Sequence, residues 1–273
     1  MNQKSTNMKL GKLYTLLLII SSIPLSAQID WNKPFEDCGI KGSITIFDYT
    51  HNTWMSNDIA DSQFATLPAS TFKIVNTLIA LETGVVKDEN EIIPWITDYD
   101  TLKYSHRPNI YHSMSMKEAF RLSAGWAYVE LAKRIGKEKY RSILTEIDYG
   151  NVDLSQEDPD FWNFGPFGIS PANQIQVLVD IYDETLPFSK RSFQTLKTMM
   201  IAEETDEYVI RAKTGWTRDS GKDTGWWVGY VEKADNTYFF ATRLIKERRV
   251  ENPNFGSCRK EITKKILKQM GVL

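Results

Sequence analysis

Two cysteines and three histidines are all that 273 residues contain of two residue types that commonly bind metals or cross-link chains. Nowhere are they spaced as a zinc site requires, and two cysteines cannot build a disulfide scaffold. A basic excess is also lacking, since 33 Lys and Arg face 35 Asp and Glu, a formal net charge of −2. That balance leaves no electrostatic footprint for nucleic acid. After the first segment no repeat, low-complexity tract or Pro/Gly/Ser linker divides the chain, and no later window is apolar enough to span a bilayer, which takes about 20 residues. What is present is ordinary for a globular protein: 42% hydrophobic and 25% charged residues. Such proportions exclude a collagenous or wholly disordered chain. At about 100–200 residues per domain, the length admits one large domain or two small ones.

Residues 1–27 stand apart from this composition. They carry Lys4, Lys9 and Lys12, no acid, and an apolar run from Leu13 to Ile20 that continues to Leu25. A basic start, a short apolar stretch and a small residue at the end describe a secretory signal peptide cut after Ala27. Leu25 is larger than usual for its place, and an uncleaved membrane anchor is the alternative. Removing 27 residues and three lysines leaves 246 residues with a formal charge of −5. The expected product is exported to the periplasm and has no membrane span, with residues 28–273 as a single catalytic domain. Export makes a Cys38–Cys258 disulfide chemically possible. The expectation from sequence is nevertheless two separate buried thiols, because free cysteine is among the most buried residue types.

Gly39 to Asn57 alternates apolar and polar residues around His51-Asn52 and reads as a β-hairpin. Phe72, Ile74, Val75, Leu78, Ile79 and Leu81 follow at helical spacing up to Gly84, apolar nearly all round, as in a buried helix. Residues 114–149 read as helices interrupted near Ser123-Ala124-Gly125, and further helices run from about Pro171 to Tyr182 and from Lys190 to about Ile201. The period then changes to two. Tyr208–Trp216, Gly225–Glu232 and Thr237–Ile245 form three strands of an antiparallel meander, and Ser257–Met270 closes the chain as an amphipathic helix. Strands at both ends and helices between predict an α+β fold. Its antiparallel sheet is built from both chain ends and flanked by helices, with a helical lobe inserted.

Ser70-Thr71-Phe72-Lys73 stands at the start of the buried helix. Residues three apart share a helix face, so Lys73 can reach the Ser70 hydroxyl. Unpaired N–H groups at a helix start can stabilise an oxyanion. An apolar setting lowers a lysine pKa toward a neutral, basic amine. An N-cap serine beside a lysine snorkelling to the surface fits the same residues, and Ser257-Cys258-Arg259-Lys260 repeats the spacing. Lys213-Thr214-Gly215 on the first meander strand can bind an anion with close backbone approach, or can simply defend an edge strand. In this order the two motifs form the paired signature of serine β-lactamases and penicillin-binding proteins.

Pro68-Ala69-Ser70-Thr71-Phe72-Lys73, Leu81-Glu82-Thr83-Gly84-Val85, Tyr149-Gly150-Asn151, Phe161-Trp162 and Lys213-Thr214-Gly215-Trp216-Thr217 together resemble a class D (oxacillinase-type) serine β-lactamase. The likeness runs from about residue 36 to the C-terminus. Class A is disfavoured, since no Ser-Asp-Asn lies between the motifs. The resemblance implies hydrolysis of small-molecule β-lactams through an acyl-serine intermediate on Ser70. Lys73, carboxylated on its amine by CO₂ (N6-carboxylysine), would be the general base, with no metal and no other cofactor. It gives Trp162 the hydrogen bond to the carbamate, and Ser123 the proton relay to the leaving nitrogen. The N–H groups of Ser70 and Trp216 would form the oxyanion hole. Lys213, Thr214 and Arg259 would hold the substrate carboxylate, with Gly215 beside them. No motif specifies an oligomeric state. A penicillin-sensing or transpeptidase-like binding protein, acylated without turnover, is the alternative.

Two positions depart from the family pattern. Gly125 replaces a valine that helps cover the lysine, and Val75 replaces a frequent proline. Tyr149 is read as architectural, the alternative being a tyrosine base as in class C. His51, His106 and His112 read as loop or surface residues, the eight tryptophans as core and pocket walls, and Glu247-Arg248-Arg249 and Lys264-Lys265 as solvated charge.

Overall fold

A computed structural model describes residues 29–97, 100 and 107–273. The leader at 1–27 and His106 lie outside the described residues. Helix α1 (Lys33–Asp37) precedes the hairpin β1 (Lys41–Asp48) and β2 (Thr53–Ser56), and α2 (Ile59–Gln63) follows. A 3₁₀ turn at Ala69–Phe72 runs directly into α3 (Lys73–Glu82). The lobe continues with the short pair β3 (Ile92–Ile93) and β4 (Met114–Ser115). Helices α4 (Met116–Leu122), α5 (Gly125–Ile135), α6 (Lys137–Glu146), α7 (Pro171–Tyr182) and α8 (Lys190–Met199) complete it. Strands β5 (Ile201–Glu204), β6 (Val209–Asp219), β7 (Lys222–Glu232) and β8 (Thr237–Glu247) lead to α9 (Phe255–Gln269).

The main sheet has the order β2-β1-β8-β7-β6-β5, every neighbouring pair antiparallel. β1 lies against β8, with Ile46 opposite Phe240, so both chain ends complete one sheet around the inserted lobe. The α+β architecture expected from the sequence is therefore the one observed. Side chains alternate between two cores, as strand geometry requires. Trp226, Val228, Tyr230, Phe239 and Ala241 face the helical lobe, whereas Trp227, Val231, Phe240 and Leu244 face α9 and α1. Each fully buried side chain of this size contributes about 1.5–3 kcal/mol.

Local signals explain most boundaries. The hydroxyls of Ser115, Ser170 and Ser189 accept from the N–H groups of Glu118, Asn173 and Ser192 and cap α4, α7 and α8. The expected break after Leu122 is made by Ser123, which takes a left-handed conformation (φ 56°, ψ 44°). Short elements escaped the sequence reading: α1, α2, the β3–β4 pair and edge strand β5 span too few residues for periodicity to register.

The expectation of two free thiols is overturned. Cys38 and Cys258 form a disulfide, their Cα atoms 6.1 Å apart. Phe35 of α1 packs in the same core as Ile262 of α9, which brings Cys38, the C-cap of α1, to the first turn of α9. A separation of 220 residues hid this neighbourhood from sequence inspection. Closing so long a loop restricts the unfolded chain, worth about 5 kcal/mol in the chain-entropy picture. Reduction, or Cys38→Ser, is therefore expected to lower the melting temperature by roughly 10 °C, read by calorimetry. Thiol labelling in denaturant without reductant should modify neither cysteine, and labelling of both would refute the bond.

Candidate active site

The segment leading to Ser70 is clamped from several sides. The guanidinium of Arg243, 1% exposed, donates to the Phe64 carbonyl (2.7 Å) and the Thr66 hydroxyl (3.0 Å) and pairs with Asp61. Trp226 Nε1 donates to the Leu67 carbonyl at 2.9 Å, and the Ala69 N–H donates to the Trp162 carbonyl at 2.9 Å. Thr71 Oγ1 donates to the Pro68 carbonyl at 2.7 Å and accepts from Gln174 at 2.8 Å. So held, Ala69 adopts φ +53°, a left-handed backbone that a non-glycine residue takes only when its surroundings impose it. Ser70 thus presents its hydroxyl from a constrained turn rather than from the first turn of an α-helix.

Gly215 explains how β6 comes so close. A Cβ there would lie 2.8 Å from the Pro68 carbonyl oxygen and 3.0 Å from Thr71 Cγ2. Only glycine lets the strand touch the turn, and this contact sets the Trp216 end of β6 beside Ser70.

Two serine–lysine pairs meet here. Lys73 Nζ donates to Ser70 Oγ at 2.9 Å and lies 4.9 Å above the Tyr128 ring. Lys73 is 1% exposed, and this desolvation, assisted by the charge of Arg107, brings its pKa down to about 7. Lys213 Nζ donates to Ser123 Oγ at 3.0 Å and to the Thr214 carbonyl at 3.2 Å. At 5% exposure its pKa is also pushed well below the usual lysine range, first by burial and then by the charges of Lys73 and Arg259. The left-handed turn at Ser123 aims its hydroxyl at Lys213.

A cleft of about 220 Å³ opens over these groups, lined by Ser70, Lys73, Ser123, Gly125, Thr214, Gly215, Trp216 and Arg259. The wall is completed by Arg107, Ile110, Tyr111 and Asn163, none of which carries a sequence signal of function; Asn163 alone adjoins a motif residue. Lys213 sits just behind this surface. Burial lowers the Arg259 pKa to about 10, which leaves it cationic at neutral pH. Its Nη1 donates to the Gly215 carbonyl and its Nε to that of Gly256 at 3.0 Å. These bonds fix the guanidinium against the strand and occupy part of the fork that a bidentate grip would use.

Trp162 stacks on Phe72 (5.2 Å between centroids), and its Nε1 is buried with no hydrogen-bond partner among the described residues. A buried N–H without an acceptor is costly and marks a place for one.

Other sequence candidates lie elsewhere. Tyr149 is buried, its hydroxyl pKa pushed up by desolvation and its hydroxyl donating to Gln174 Oε1 at 3.5 Å, which fits an architectural part and not a base. His51 sits beside Asp48 at 3.0 Å and His112 beside the Ser113 carbonyl at 2.9 Å. Ser257 donates to the Asn254 carbonyl, so the second Ser-x-x-Lys match forms no comparable pair.

Comparison with known proteins accords with this geometry. The family described as penicillin-binding-protein transpeptidase domain matches residues 41–268. β-Lactamase OXA-5 of Pseudomonas aeruginosa is 31% identical over 97% of this chain and 99% of its own. OXA-48 of Klebsiella pneumoniae is 35% identical over 89% and 88%. Among solved structures, a class D β-lactamase from Nostoc superimposes with a TM-score of 0.83 at 36% identity, covering 90% of this chain and all of that one. A class D enzyme from Sebaldella termitidis gives 0.83 at 38%, covering 90% and 98%. Likeness over nearly the full length, together with the clamped Ser70 turn and its buried lysine, assigns this chain to the class D β-lactamase family.

Proposed function

We propose that the protein is an exported, periplasmic enzyme that hydrolyses the four-membered amide of penicillin-type antibiotics and so confers resistance. The observation that carries this reading is the 2.9 Å contact between Ser70 Oγ and a desolvated Lys73. Lys73 takes the Ser70 proton as Oγ attacks the lactam carbonyl carbon. The N–H groups of Ser70 and Trp216 stabilise the oxyanion. The C–N bond then breaks, and the ring nitrogen receives a proton through Ser123, which Lys213 supplies. Thr214, Lys213 and Arg259 hold the ring carboxylate. The proton taken from Ser70 passes back toward Lys213, which frees the base. In the second half the base takes a proton from water as it attacks the ester carbonyl, and returns that proton to Ser70 Oγ as the ester C–O bond breaks.

Lys73 is read as carboxylated. Addition of CO₂ to a neutral lysine amine releases one proton and leaves an anionic carbamate, a base suited to neutral pH. Both requirements have support in this chain: an amine with a pKa near 7, and the unpartnered Trp162 Nε1 as a donor for the anion.

Three outcomes test the reading. Ser70→Ala should lose turnover of a chromogenic cephalosporin by about 10³-fold or more, while chelators leave the wild type active. A stoichiometric acyl adduct in the mass spectrum without turnover would favour the acylated binding protein instead, which the transpeptidase-type match also accommodates.

The pH dependence has a definite sign. Below about pH 7 the free amine is protonated and can neither accept the Ser70 proton nor react with CO₂. kcat/KM should therefore fall about tenfold per pH unit on the acid side. Bicarbonate should restore activity lost in CO₂-depleted buffer, and bicarbonate-independent activity would refute the carbamate while leaving Ser70 in place. Trp162→Phe keeps the ring and removes the donor. It should raise the bicarbonate concentration for half-maximal activity and weaken the ¹³C carbamate signal of enzyme equilibrated with labelled bicarbonate.

A further inference from the structure

Among the described residues, every charged one that lines the cleft is a cation. Lys73, Arg107 and Arg259 line it, Lys213 lies just behind, and no Asp or Glu is among the described lining residues. Arg259 belongs to the wall made by β6 and α9. Arg107 belongs to the facing wall, from the helical lobe, with Ile110, Tyr111 and Gly125.

Arg107 is held in place there. Its Nη2 donates to the Leu122 carbonyl at 2.9 Å, one residue before Ser123, and its backbone N–H donates to the Tyr111 hydroxyl at 3.1 Å. The wall itself is braced. Trp126 Nε1 donates to the Ile110 carbonyl at 2.6 Å, and Trp95 stacks on Tyr111 with 5.2 Å between centroids. Among the described residues no carboxylate forms an ion pair with Arg107. Its charge lowers the pKa of both Lys73 and Lys213, which places it within electrostatic reach of the reacting atoms.

A β-lactam acylating Ser70 with its ring carboxylate on Thr214 and Arg259 must direct the rest of its structure away from the sheet wall. The lobe wall, with no side chain on Gly125 to fill it, is where that remainder goes. We propose that Arg107 is a specificity-determining residue that favours β-lactams carrying a second anionic group on the arm remote from the ring carboxylate. The inference rests on the β-lactamase reading above. A guanidinium with one nitrogen anchored still offers Nε and Nη1 to a carboxylate. The same charge repels a substrate whose arm is cationic.

Three penicillins that differ only in the charge of the arm give the test: benzylpenicillin, its α-carboxy derivative and its α-amino derivative. In Arg107→Gln, kcat/KM for the α-carboxy compound relative to benzylpenicillin should fall about tenfold, the range for losing one hydrogen bond to a charged group. The α-amino compound should rise severalfold relative to benzylpenicillin. High salt should shrink both differences in the wild type. A variant in which all three substrates change by one common factor would overturn the proposal, since Arg107 would then act only through the Leu122 carbonyl beside Ser123. An unchanged α-carboxy ratio would overturn it as well. If the glutamine variant fails to fold, Arg107→Lys keeps the charge and removes the fork. It should retain the discrimination against the α-amino arm and lose part of the α-carboxy preference. Wild-type enzyme that turns over none of the three would instead sink the β-lactamase reading itself.

Discussion

Two lysine ammonium groups cannot both remain fully charged when they are buried at one cleft whose described lining residues include no carboxylate. Lys73 and Lys213 are each almost wholly buried, and each lowers its charge in response to burial and to neighbouring cations. The cost falls on stability with a definite sign. The unfolded chain binds the Lys73 proton at the usual 10.5 and the folded chain only near 7. The penalty is thus complete below pH 7 and is relieved as pH rises toward 10.5. A fold that accepts this cost keeps a lysine that is basic and unsolvated at neutral pH, 2.9 Å from a serine hydroxyl. The rest of the site makes sense as the means of holding that arrangement.

The surrounding structure supplies the rigidity. The Ser70 turn is fixed by a buried arginine behind it, by Trp226 and Trp162 at its sides, and by the contact with Gly215 in front. Each restraint comes from a different element: Arg243 from β8, Trp226 from β7, Gly215 from β6, Trp162 from the lobe. The turn therefore senses the whole sheet. Because β8 also pairs with β1, and Cys38 ties α1 to α9, the two chain ends jointly hold the strands that position the nucleophile. Arg259, next to Cys258 on α9, leans on the same strand through the Gly215 carbonyl.

Much of this was legible in the sequence because it depended on local pattern. The period-two runs in β6, β7 and β8 and the helical spacing of α3 determined element type directly, and the helix expected from about Pro171 is α7, which begins there. Ser70, Lys73, Thr214 and Trp216 stand in short motifs, Ser123 and Arg259 were expected only from the family resemblance, and the fold brings all six to one cleft. Arg107 and the Cys38–Cys258 bond were not legible. Arg107 has no motif around it and matters only because the lobe folds it against the cleft. The disulfide joins residues whose proximity follows from α1 packing on α9, a contact that no local pattern encodes. The 3₁₀ geometry at Ala69–Phe72 escaped for a related reason: it is imposed by Trp162, Trp226 and Gly215 and not by the propensities of the four residues themselves.

Gly125 leaves one part of the cleft wall without a side chain. A valine at that position would shield the lysine by excluding water, whereas glycine leaves that wall open. The cations around the cleft offer a different means of favouring an anion on Lys73. A carbamate there would exchange an amine only partly protonated at neutral pH for a fixed negative charge. It would sit among Lys213, Arg107 and Arg259, and it would in turn favour the charged form of Lys213. Three cations against one carbamate and one substrate carboxylate still leave a single positive charge unmatched. Lys213 and Arg259 are the cations assigned to the substrate carboxylate, whereas Arg107, held by the Leu122 carbonyl, belongs to the lobe wall, so the surplus charge lies on the side of the substrate arm. The same electrostatic surplus that can replace the missing valine is therefore the one that selects among substrates by the charge of their arms.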